Sequence, residues 1–104
     1  MTTFKDIQKI LDDAIDNASA IGAHGTFWRD VTRDQFVGLN IFGCPIIYSQ
    51  GGMFNGPLSP LVKILRGPTN CQGLDFPQMP FGFNPVSKEK VQTISDWIDA
   101  QCPV

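Results

Sequence analysis

The stretch Ala20-Ile21-Gly22-Ala23-His24-Gly25 closes an amphipathic N-terminal segment and carries the only histidine of the 104-residue chain. Upstream of it, apolar residues recur at Phe4, Ile7, Ile10, Leu11, Ala14, Ile15, Ala18 and Ile21. That 3.6-residue period predicts a helix over Phe4–Ala20 with one buried face. Lys5, Lys9, Asp12, Asp13 and Asp16 fall on the wet face. Thr3 and Asp6, three residues apart, resemble a capping box at its start, and Gly22 supplies the stop.

Working downstream, a second start signal lies at Thr32 and Gln35, with Val31 and Phe36 at the spacing of a hydrophobic staple. It predicts a short helix from Arg33 to about Leu39. Ile46-Ile47-Tyr48 is too isolated to build a sheet and reads as extended, core-filling chain. Gln50 to Pro57 is loop chemistry. Ser59-Pro60 places a cap before proline at a first helical position, with Leu61, Val62, Ile64 and Leu65 as the buried side and Gly67-Pro68 as the end. Residues 67–86 form a long Pro/Gly-rich loop whose Leu74, Phe76, Met79, Phe81 and Phe83 favour docking onto the core. Ser87 caps a closing helix with Val91, Ile94, Trp97 and Ile98 on one face, ending at Pro103. The expectation is one all-α domain, 1–104, with long loops.

Composition narrows the function. Apolar residues at 42% and charged residues at 17% are those of a folding chain, not a disordered tail. A net charge of −2 with eight scattered basic residues gives no footprint for nucleic acid. No apolar run reaches the length of a membrane span. Met1 to Asp6 lacks a basic segment followed by an apolar core, so a cytoplasmic location is expected unless a signal has been removed. Cys44, Cys71 and Cys102 are odd in number and widely spaced, and they form no zinc pattern. Reduced thiols are the ordinary reading; a Cys71–Cys102 bridge tying the Met79 loop to the C-terminus is the sharper one.

The order of motifs resembles cytochrome c across most of the chain. With cysteine in place of Ala20 and Ala23, the opening stretch would be the C-x-x-C-H haem-attachment motif. It is followed by Ser59-Pro60-Leu61-Val62-Lys63-Ile64-Leu65-Arg66-Gly67, by Met79-Pro80-Phe81-Gly82, and by a closing helix with Ile94-Ser95-Asp96-Trp97-Ile98-Asp99. The resemblance implies a small all-α fold with its first and last helices crossed, bringing Ile7, Ile10 and Ile15 towards Ile94, Trp97 and Ile98. It also implies His24 and Met79 as axial ligands. Positions 20 and 23 cannot form thioether bonds, so any haem would be held non-covalently, as in a b-type cytochrome.

Three functional readings follow. In the first, the protein binds no cofactor and serves as a binding or accessory module, docking a protein partner or small molecule at the former haem pocket. Here aromatic residues fill the vacated volume, because an empty cavity destabilises in proportion to its size. Trp28 and Phe27 would do so, aided by Phe42, Ile46, Ile47 and Tyr48. In the second, Phe27 and Trp28 flank a non-covalent haem held by His24 and Met79. Copper on His24, Met79 and a cysteine is a softer-ligand variant of the same idea. In the third, the pocket has become an active site around His24, Arg29 and Tyr48, with Arg29 as a carboxylate clamp and Cys44 or Cys71 as a nucleophile. No nucleophile or phosphate-loop motif accompanies these residues. Arg29, Asp30, Arg33 and Asp34 otherwise read as solvated ion pairs.

Overall fold

Three of the four described helices begin where a side chain satisfies free backbone N–H groups. The computed structural model describes residues 2–15, 26–80 and 84–104. Helix α1, Phe4–Ala14, starts with a reciprocal Thr3/Asp6 capping box, and α2, Arg33–Val37, with the same device at Thr32/Gln35. Helix α4, Lys88–Asp99, is capped by Ser87, which accepts from the Lys90 N–H. Helix α3, Pro60–Arg66, has proline in its first turn and Ser59 as N-cap. The Ser59 hydroxyl is used elsewhere: it accepts from the Tyr48 N–H at 3.0 Å and donates to the Asn55 carbonyl at 2.7 Å.

The all-α expectation is overturned. Among the described residues, three two-stranded antiparallel hairpins lie between α2 and α4, two before α3 and one after it, giving a mixed α/β fold. They are β1–β2 (Asn40–Ile41, Cys44–Pro45), β3–β4 (Tyr48–Gln50, Met53–Asn55) and β5–β6 (Thr69–Cys71, Leu74–Phe76). Each turns through two residues with positive φ: Phe42-Gly43, Gly51-Gly52 and Gln72-Gly73. Two successive residues at positive φ make the type I′ turn, whose twist matches that of paired strands. The hairpins occupy stretches that the sequence reads as loop or extended chain. Several boundaries shift as well. Helix α1 closes at Ala14 rather than Ala20, α2 at Val37 rather than Leu39, and α4 at Asp99 rather than near Pro103. Residues 16–20 of the predicted first helix, with Phe81 and Phe83, lie outside the described residues.

One buried cluster joins the elements, with Ile7 from α1, Phe36 from α2, Val62 from α3 and Ile94 and Ile98 from α4 at its centre. The Phe4 ring lies 5.2 Å from that of Phe36 and 6.1 Å from that of Trp97, linking the first helix to the last. Ile7, Ile15, Ile94, Trp97 and Ile98 all sit in this cluster, while Ile10 is only partly buried beside it. Polar side chains sew the C-terminal end to the rest. Arg33 Nε and Nη2 donate to the carbonyls of Cys102 and Gln101 at 2.7 and 2.8 Å. Trp97 Nε1 donates to the Pro103 carbonyl at 2.8 Å. Gln101 pairs through its amide with both backbone groups of Phe54. Arg33 is therefore a structural tie as well as the Asp34 partner that the solvated reading assigns it.

Candidate functional site

Helix α1 carries polar residues that hold an aromatic turn in place. The Arg29 N–H donates to the Thr26 carbonyl at 3.1 Å, closing the turn. Gln8 Nε2 donates to the carbonyls of Trp28 and Arg29 at 2.7 and 3.2 Å. One oxygen of Asp12, Oδ1, accepts from Trp28 Nε1 at 2.7 Å and from Arg29 Nε at 2.6 Å. Burial pushes the Asp12 carboxyl upward, but the Arg29 and Trp28 hydrogen bonds and the Arg29 charge outweigh it and hold the group below its ordinary range. The turn thus presents Phe27 and Trp28 together, edge to face at 5.0 Å.

A second anchoring uses the C-terminal end of α3, where carbonyls lack helical partners. The Met79 N–H donates to the Ile64 carbonyl at 2.9 Å, and Gln78 Nε2 to the Leu65 carbonyl at 3.1 Å. These bonds fix the Met79 segment beside Ile64 and Leu65. A disulfide makes a third tie: Cys44 on β2 is bonded to Cys71 on β5. The rings of Phe42 and Phe76, from the same two hairpins, stack at 6.2 Å and 24°.

Between these anchored parts lies a cleft of about 400 Å³. Leu11, Ala14 and Ile15 of α1 line it with Phe27 and Trp28; Pro60, Leu61, Ile64 and Leu65 come from α3. Ile41, Phe42, Cys44 and Ile46 join from the first hairpin, and Thr69, Cys71, Phe76, Pro77, Met79 and Pro80 from the third hairpin and its exit. None of these described lining residues is charged, and the volume lies within the range of small-molecule sites.

Of the residues singled out in the sequence, Phe27, Trp28 and Met79 meet on this cleft. His24 lies outside the described residues. Arg29 and Tyr48 are not on its wall; Arg29 is engaged by Asp12, and the Tyr48 hydroxyl donates to Gln50 at 3.2 Å. Of the residues expected to fill the pocket, Trp28, Ile46 and Ile47 are buried and Phe42 is 54% exposed, and a cleft remains among the described residues. In the 67–86 segment Phe76 and Met79 line the cleft, whereas Leu74 is 48% exposed instead of docked.

The cysteine expectations also change. Cys44 and Cys71 pair with each other, so neither is a free thiol, and there is no Cys71–Cys102 bridge. The disulfide leaves neither as a nucleophile or a thiolate ligand. Cys102 is free and buried; burial raises its thiol to about 11 against the lowering pull of Arg33, which keeps it protonated at neutral pH. Among the described residues, no three His, Cys, Asp or Glu side chains gather to hold a metal ion. No helix among them is long and apolar enough to cross a membrane.

Sequence reasoning missed the disulfide and the hairpin residues Ile41 and Phe76 as parts of the site. The sequence marks these two hairpins only by the glycine at the second turn position, Gly43 and Gly73. In comparisons with known proteins, no family model, no curated protein and no solved structure matches this chain.

Proposed function

We propose that this protein is a non-catalytic binding module whose cleft takes a small, neutral, apolar molecule. The observation that carries the reading is the cleft of about 400 Å³ with no charged side chain among its described lining residues. Apolar surface left facing water favours an occupant, at roughly 0.8 kcal/mol for each methylene buried. The aromatic rings of Phe27, Trp28 and Phe76 and the sulfur of Met79 favour an unsaturated or aromatic ligand, because thioethers and ring edges attract π systems. Nothing in the described wall supplies the nucleophile, base or oxyanion donors of a catalyst, since Arg29 and Tyr48 lie off it.

The resemblance to cytochrome c makes haem the cofactor to test against this wall. Met79 and the apolar surroundings suit the porphyrin ring. The two propionates fit poorly, because no Lys or Arg is among the described lining residues to receive them, and the ring has no cysteine at position 20 or 23 to anchor it. A neutral ligand fits the described residues better than a dianionic porphyrin.

The test is a fluorescence titration with the neutral probe N-phenyl-1-naphthylamine, with haemin titrated in parallel and followed by its visible spectrum. One saturable site is expected for the neutral probe. Ile64→Trp, which places an indole in the cleft, should weaken it at least about tenfold, or about 1.4 kcal/mol. Absence of saturable binding would refute the module. A sharp haem band that His24→Ala removes would replace the neutral ligand by haem.

A further inference from the structure

Resting on that binding reading, we propose that the Cys44–Cys71 disulfide is a redox clasp for the cleft: oxidised it holds the ligand site together, and reduced it releases the ligand. Both cysteines line the cleft, and they stand on different hairpins, Cys44 on β2 and Cys71 on β5. Among the described residues, neither hairpin has a strand partner beyond its own two strands, and no ladder of backbone hydrogen bonds joins one to the other. Among the described residues, the disulfide and the Phe42–Phe76 stack join the two at the cleft. Phe42, the more exposed of those rings, sits at the turn of its hairpin with a positive φ of 52°. An isolated two-stranded hairpin is marginal in water, so its placement depends on what ties it down.

The chemistry is thiol–disulfide exchange with a dithiol reductant. Cys71 is the less buried of the two residues, Cys44 being at 7% exposure, and attack is placed at Cys71 on that ground. A reductant thiolate bonds to Cys71 Sγ and expels Cys44 as thiolate, which takes up a proton. The second reductant thiol then displaces Cys71. Two protein thiols and one oxidised reductant result, with two electrons passed to the protein. Among the described residues, the ring stack is then what joins the hairpins at the cleft, and the wall formed by Ile41, Phe42, Thr69 and Phe76 loosens.

The experiment uses the Cys102→Ala background, in which the Cys44–Cys71 pair is the only thiol couple. N-phenyl-1-naphthylamine is titrated into the oxidised protein and into protein reduced with dithiothreitol, with hydrogen exchange measured on both. The expected result is saturable binding to the oxidised form and affinity at least tenfold weaker in the reduced form. Faster exchange should be confined to residues 40–45 and 69–76 while α4 keeps its protection. Equal affinity in the two forms would overturn the clasp and leave the binding reading intact. Loss of protection in α4 on reduction would also overturn it, by showing global unfolding instead of local release. Failure of the oxidised form to bind would overturn both.

Discussion

The Asp12 carboxylate accepts from Trp28 and Arg29, side chains 16 and 17 residues further along the chain. It thereby fixes one aromatic wall of the cleft from the polar face of α1. Because its folded pKa lies below the ordinary 3.8, the stability it contributes is complete above that value and is lost as pH falls through the lowered folded value. Asp12→Asn should cost about 1 kcal/mol at neutral pH, the pair being partly exposed. The substitution should also flatten the acid limb of the stability profile. Urea denaturation from pH 6 down to pH 3 checks this: wild-type and variant midpoints should converge towards the acid end. Parallel curves would show that Asp12 is not the titrating group. At this scale the sequence was informative where chemistry is local. Phe27, Trp28 and Met79 could be singled out from their neighbours, but the Asp12 partners could not, since they depend on how the turn folds back over α1.

Among the elements, helices and hairpins differ in what they leave in the sequence. Helices α1 and α4 are long enough for a 3.6-residue stripe to show, and the Thr3/Asp6, Thr32/Gln35 and Ser87 caps mark the starts of α1, α2 and α4. Strands of two or three residues cannot display alternation, so only the turns announce the hairpins. Phe42-Gly43 and Gln72-Gly73 each ask a non-glycine residue to adopt positive φ, which masks the signal. Packing between elements adds a demand that is invisible in any single one. Gly56, just past β4, donates its N–H to Asp99 Oδ1 at 2.7 Å and lies so close to α4 that a Cβ would strike the Ser95 carbonyl oxygen and come within 2.6 Å of its Oγ. Gly56→Ala should therefore destabilise the protein by about 2–3 kcal/mol, the range for overpacking a tight contact. Chemical denaturation reads this directly; a loss under 0.5 kcal/mol, the size of ordinary surface substitutions, would show that the contact yields.

For the molecule as a whole, the cross-link matters beyond the cleft. Cys44 and Cys71 are 27 residues apart, and closing a loop of that size restricts the unfolded chain by roughly 3.5 kcal/mol on the chain-entropy account. Replacing both cysteines by serine should lower the unfolding free energy by about that amount, measured by urea denaturation. A domain of this size commonly holds roughly 5–15 kcal/mol, so a folded population should remain. The pairing was not legible in three scattered cysteines, because it follows from the fold that brings two hairpins together. The ties at residues 101–103 bear on how the chain is made. Arg33 finds its carbonyl acceptors 68 and 69 positions later, and Trp97 finds its own at Pro103. A chain that has reached only residue 100 already holds the residues of all four described helices, yet Arg33 Nε and Nη2 and Trp97 Nε1 lack these acceptors. Residues 101–103 are thus made after the helices they fasten, and the described fold is complete only once they have joined it.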